Sequence, residues 1–111
     1  MAGHTSTEIK EAASKFVSFL NRAVTPFHAV DILSVRLKAE GFVQLKENEH
    51  WNIECNGKYF VTRNDSALFA FAVGGKYVPG HGFTMTAAHT DSPSLRVKPI
   101  SKISNENCAQ V

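Results

Sequence analysis

The chain has 111 residues, 43% hydrophobic and 20% charged, a balance that belongs to an ordinary globular domain and excludes a disordered one. A net charge of +2, from 12 Lys and Arg scattered among 10 Asp and Glu, with no basic run and no aromatic–basic alternation, excludes a nucleic-acid partner. No apolar run approaches the roughly 18 residues that span a bilayer, and the opening MAGHTSTEIK is too polar for a secretion signal, so no membrane association is expected.

The first predicted element is a helix over residues 7–22. Ile9, Ala12, Ala13, Phe16, Val17, Phe19 and Leu20 recur at helical spacing, and Thr7 is the expected cap. Thr25-Pro26 opens a second helix, since proline suits the first helical position, where its missing N–H would have no partner. Ala29, Val30, Ile32, Leu33, Val35, Leu37 and Ala39 carry it to Gly41, where a left-handed residue is wanted.

From Phe42 the pattern turns extended. Asn56-Gly57 between Trp51–Cys55 and Lys58–Arg63 predicts a hairpin, because both turn residues of that type need positive φ. Asn64-Asp65 makes a second turn. Ala67–Val73 is nearly all apolar, as a strand covered on both faces should be, and Gly74-Gly75 ends it. Lys76–Gly82 reads as an irregular loop, and Phe83–Ala88 as another buried strand running into His89. Arg96 and Lys98 alternate with Leu95 and Val97, which reads as a strand with one charged face. Together with Lys102 they make a solvated surface. Residues 101–111 carry turn-type polar residues with no closing strand or helix, so a truncated domain, incomplete at its C-terminus, is expected. Two helices followed by strands resemble the opening of an α/β domain. With the strand set incomplete, exposed apolar edges and poor solubility are expected.

The segment with chemical content is His89-Thr-Asp91-Ser-Pro93. A histidine at the carboxyl end of a buried strand sits on the rim where α/β sheets hold ligands. In extended geometry Asp91 lies on the same side as His89, where its carboxylate can fix the imidazole tautomer and raise its basicity as a metal ligand. His-x-Asp alone is a weak signal. His81 between two glycines reads as a loop histidine, His28 as packed or capping, and His4 and His50 as surface. Cys55 and Cys108 are too few and too far apart for a disulfide framework, so a reduced, cytoplasmic setting is expected, and neither cysteine has zinc-finger spacing.

Four segments in order carry a resemblance to the aspartyl aminopeptidase family of metallopeptidases. They are Pro26–Val30 with Gly41-Phe42, Lys58–Asn64, Phe69–Gly75, and the specific block Ala88-His-Thr-Asp-Ser-Pro-Ser-Leu-Arg-Val-Lys-Pro99. The resemblance covers about residues 8–103 and implies an amino-terminal part of a catalytic peptidase domain, residues 1–111. It also implies two zinc ions sharing a bridging water or hydroxide, and peptide substrates with an acidic amino-terminal residue (Asp or Glu). A homo-oligomer is implied for the full-length chain. By motif position His89 is a zinc ligand and Asp91 its orienting carboxylate. The other metal ligands and the general-base Glu of the family fall beyond position 111. Glu106 and Cys108, which follow the motif, match none of them. One histidine cannot hold zinc, which takes three or four protein ligands, so the 111-residue chain alone is expected to be inactive. Two other readings stand beside this one. One is a short non-catalytic product that associates with full-length subunits. The other is a different two-metal hydrolase, against which the Ser-Pro-Ser-Leu-Arg-Val-Lys-Pro context speaks.

Overall fold

The computed structural model describes residues 5–105 and 108–110, with side chains up to residue 102. Helices α1 (Ser6–Arg22) and α2 (Pro26–Ala39) precede strands β1 (Val43–Leu45), β2 (Lys58–Arg63) and β3 (Ala67–Ala72). A separate pair, β4 (Ile103–Asn105) and β5 (Cys108–Gln110), follows. The architecture is α/β, as expected. No helix among the described residues is long and apolar enough to cross a membrane.

α1 is capped two residues earlier than expected. Thr5, not Thr7, closes a capping box: its backbone N–H donates to Glu8 Oε2 at 2.7 Å, and Glu8 N–H donates to Thr5 Oγ1 at 3.3 Å. The reason is spacing. Thr5 has a glutamate three residues on, whereas Thr7 has Lys10, which cannot accept the return bond. α2 begins as predicted, with Thr25 as cap and Pro26 in the first turn. It ends in a Schellman motif: Phe42 N–H donates to Leu37 O at 2.9 Å and Gly41 N–H to Lys38 O at 3.1 Å, with Gly41 at φ +80°.

The main sheet has the order β1-β2-β3, with β1–β2 parallel and β2–β3 antiparallel. Buried residues concentrate on the central strand β2 and the facing part of α2: Tyr59, Phe60 and Val61 with Ala29, Val30 and Ile32. Phe60 is fully buried. Alternation along β2 sends Tyr59 and Val61 to the opposite face, where their cross-strand partners are Phe71 and Phe69. There Phe71 meets Tyr59, Phe69 and Trp51 at ring-centroid distances of 5.5, 5.7 and 6.3 Å.

The predicted hairpin through Asn56-Gly57 does not form. Asn56 is left-handed at φ +63°, but Gly57 is not, and Gly57 N–H closes a turn onto Glu54 O instead. Glycine is needed at 57 for room, because a Cβ there would strike the Tyr59 ring. Trp51, freed from a strand, lies against Phe71 with its indole N–H donated to Lys46 O at 2.7 Å. β2 takes β1 as its partner in place of 51–55. The hairpin that does form is β2–β3, across Asn64 (φ +52°) and Asp65 (φ +49°), with Ser66 N–H on Arg63 O at 3.2 Å. Positive φ at both residues is the I′ requirement, and Asn and Asp meet it better than other side chains.

Two further expectations are corrected. Ala67–Val73 is a strand, but an edge one, with Phe69 58% exposed, since β2 occupies the covered position. Phe83–Ala88 and Leu95–Lys98 are not strands, and Phe83, Met85, Leu95, Val97 and Ile100 face solvent. A strand exists only where a neighbour takes its N–H and C=O groups, and no described strand borders these segments. A closing pair is nevertheless present, in antiparallel register Ile103↔Gln110 and Asn105↔Cys108, contrary to the expectation for 101–111. A local hairpin needs no distant partner. The radius of gyration is 20.1 Å, against about 13 Å for a compact domain near this length. The apolar face of α1 (Ile9, Phe16, Val17, Leu20) is likewise exposed.

Two outcomes follow from this packing. Phe60→Ala should cost roughly 3–5 kcal/mol in urea denaturation, as aromatic truncation in a core does. An effect below about 1 kcal/mol, the size of an ordinary surface substitution, would place the core elsewhere. On the surface, Arg63 donates to Glu47 through Nε at 2.9 Å and Nη2 at 2.5 Å, and this hydrogen bonding holds the Glu47 carboxyl below its usual range. A depressed carboxyl stabilises the fold above its unfolded pKa, and that contribution is lost as pH falls through the folded value. Wild type should therefore exceed Glu47→Gln in melting temperature at neutral pH, with the gap closing below about pH 4.3 and narrowing in high salt. A gap that is flat across this range would remove the ion pair's role.

Candidate functional site

His89 does not sit at the end of a buried strand. It lies in a stretch with no helix or strand, and its side chain is 82% exposed, with Asp91 at 71%. The two residues nevertheless lie together. Nδ1 of His89 lies 2.8 Å from the Asp91 backbone carbonyl and 3.5 Å from Asp91 Oδ1. A carbonyl only accepts, so Nδ1 is the donor in this contact, and in the neutral ring the lone pair is then on Nε2. That is the tautomer a metal-binding histidine with a hydrogen-bonded partner adopts. The nearer oxygen is the backbone one, with the carboxylate beside it.

Thr90 points the other way. Its hydroxyl donates to Ser66 O at 2.9 Å in a half-buried contact. Ser66 follows the left-handed Asn64-Asp65 pair at the β2–β3 turn. The sequence reading missed this anchor. Alternation alone says that Thr90 must face away from His89 and Asp91, but no local signal identifies an acceptor 24 residues earlier. A surface hollow of about 640 Å³ adjoins the anchor, lined by Pro26, Asn64, Ser66, Thr90, Asp91 and Arg96 among others. It brings the first turn of α2, the β2–β3 turn and the His89 segment together.

The other described histidines fall where the sequence puts them. His28 packs on its own cap, with its N–H donating to Thr25 Oγ1 at 3.3 Å and the Thr25 hydroxyl 2.8 Å from its Nδ1. His81 closes the Val78–His81 turn, its N–H on Val78 O at 3.1 Å and Gly80 at φ +98°. His50 is exposed, as are Arg96 and Lys98, while His4 lies outside the described residues.

Neutral imidazole Nε2 suits one position in a zinc shell, and three or four protein ligands are needed. Among the described residues no group of three or more His, Cys, Asp or Glu comes together. His89 and Asp91 thus offer one ligand and its partner, and do not form a zinc site by themselves.

Known proteins resemble the chain over most of its length. The family model described as "Aminopeptidase I zinc metalloprotease (M18)" matches residues 19–111. The chain is 52% identical over 107 residues to an aspartyl aminopeptidase of Caenorhabditis elegans, covering 96% of this chain and 23% of the relative. It is 50% identical over 99 residues to an aspartyl aminopeptidase of Dictyostelium discoideum, covering 89% and 20%. Among solved structures, a chain of the cryo-EM structure of the Ape4 and Nbr1 complex superposes with TM-score 0.84 at 43% identity, over all of this chain and 22% of that one. The chain spans about a fifth of the length of the relatives it matches. With nearly all of its length accounted for by one family model and by relatives at this identity, the chain belongs to the M18 family of aminopeptidases.

Proposed function

We propose that residues 1–111 are the amino-terminal part of the catalytic domain of a cytoplasmic zinc aminopeptidase that releases Asp or Glu from the amino termini of peptides. Activity belongs to a chain of the relatives' full length, which uses two zinc ions and assembles as a homo-oligomer. His89 supplies one metal ligand through Nε2, and Asp91 orients it. The observation that carries the reading is the Nδ1 contact to Asp91, which supports a ring with Nε2 free to ligate, inside the most specific block of the sequence. Bound zinc would supply a Lewis acid for peptide hydrolysis. The chain's own contribution is to hold the imidazole in one tautomer and one orientation.

In the full-length chain, His89→Ala should lose zinc and nearly all activity on a substrate with an amino-terminal Asp. Full zinc content with activity retained would overturn the assignment. Asp91→Asn should weaken zinc binding by about 10–100-fold in a chelator competition, the usual effect of changing a ligand's hydrogen-bond partner. Unchanged affinity would leave Asp91 with only its backbone carbonyl in the role.

A second reading is favoured by the exposed apolar residues between Phe83 and Ile100. It makes the 111-residue chain a short non-catalytic product that associates with full-length subunits. Intact mass spectrometry of the endogenous polypeptide separates the two readings. A mass several times that of 111 residues supports the first, and a mass equal to that of 111 residues supports the second.

A further inference from the structure

We propose that Thr90 is a positioning residue, whose hydroxyl clamps the His89–Asp91 pair to the β2–β3 turn. The inference rests on the reading of His89 given above and adds to it the device that sets where the imidazole sits relative to the sheet.

The geometry has three parts. First, residues 81–102 have no strand or helix of their own, so nothing periodic fixes the height or rotation of His89. Second, the Thr90–Ser66 bond joins this stretch to the well-packed sheet across 24 residues of sequence, and it attaches at the residue between His89 and Asp91. Thr90 bonds to Ser66 while its two neighbours contact each other, so holding Thr90 holds the two functional side chains as a pair. Third, the acceptor is itself fixed. Ser66 N–H is held on Arg63 O after the left-handed Asn64 and Asp65, and the next residue, Ala67, pairs with Arg63 in the sheet. Directly beyond the turn β3 pairs with β2, whose Phe60 is fully buried. The chain of constraint therefore runs from the core, through the turn, to Ser66 O, to Thr90 Oγ1 and so to the imidazole.

Serine and valine divide the two properties of this side chain. Serine keeps the donor and loses the methyl group, while valine keeps the shape and loses the donor, leaving a half-buried carbonyl without its partner. The test uses the full-length chain, zinc-loaded for kinetics and cobalt-substituted for visible spectroscopy. Thr90→Val should lower kcat about tenfold or more with KM changed less than about twofold, and should broaden or shift the cobalt band, as loss of a ligand's support does. Thr90→Ser should restore most of the rate and the wild-type band. Should Thr90→Val fail to fold, Thr90→Cys, whose thiol is a weak donor, should show the same deficit.

The proposal is overturned if Thr90→Val matches wild type in rate and spectrum, or if Thr90→Ser is as impaired as Thr90→Val. In the latter case shape, not the hydrogen bond, is what matters. His89→Ala, run alongside, separates the two levels. Zinc lost from His89→Ala while Thr90→Val is unaltered overturns the clamp alone. Zinc kept by His89→Ala overturns the metal reading on which the clamp rests.

Discussion

The burial of Phe60 on the middle strand is the constraint from which the rest of the described structure hangs. Among the described strands β2 alone has neighbours on both edges, its Phe60 is buried, and α2 packs against the flanking β1 and β3. Once that face is set, alternation commits Tyr59 and Val61 to the other face. Their partners Phe71 and Phe69, with Trp51, build a second aromatic layer there. The tight turn at Asn64-Asp65 is then required to bring β3 back in register, and that turn carries the carbonyl on which the histidine segment rests.

The helices and their ends were legible in the sequence because their signals are local. Thr25-Pro26 and Gly41 each work through bonds spanning five residues or fewer, and the predicted cap and left-handed exit are present. Thr5 against Thr7 was a choice between neighbours that only the position of Glu8 decides. The strands were less legible. Asn56-Gly57 carries the strongest hairpin signal in the chain, yet the fold spends it on a turn that leaves room for the Tyr59 ring, while the weaker Asn64-Asp65 takes the hairpin. What decides between them is tertiary: residues 51–55 are worth more as an aromatic lid than as a third strand beside β2.

The candidate site was legible in composition and not in support. His89 and Asp91 announce themselves by type and spacing, and the resemblance to the aspartyl aminopeptidase family gives them roles. The expected buried strand beneath them is not there, because Phe83–Ala88 has no described neighbour to pair with. The feature that takes its place, a threonine hydroxyl on a carbonyl far back in the chain, leaves no trace in local pattern. A hydroxyl bond across 24 residues is visible only after the sheet exists.

β3 has one further consequence. Its six residues, Ala-Leu-Phe-Ala-Phe-Ala, contain no charge, no proline and no glycine, and the strand lies on an edge of the described sheet with Phe69 58% exposed. Natural edges are usually blunted by a lysine, a proline or a bulge, and this one carries none of them. Such a strand is a template for its own kind: copies can stack in register, each satisfying the next one's backbone, with the phenylalanines interdigitating between layers as in a cross-β fibril. The stretch that gives the sheet its second aromatic layer is therefore also an aggregation hazard wherever β3 is left uncovered.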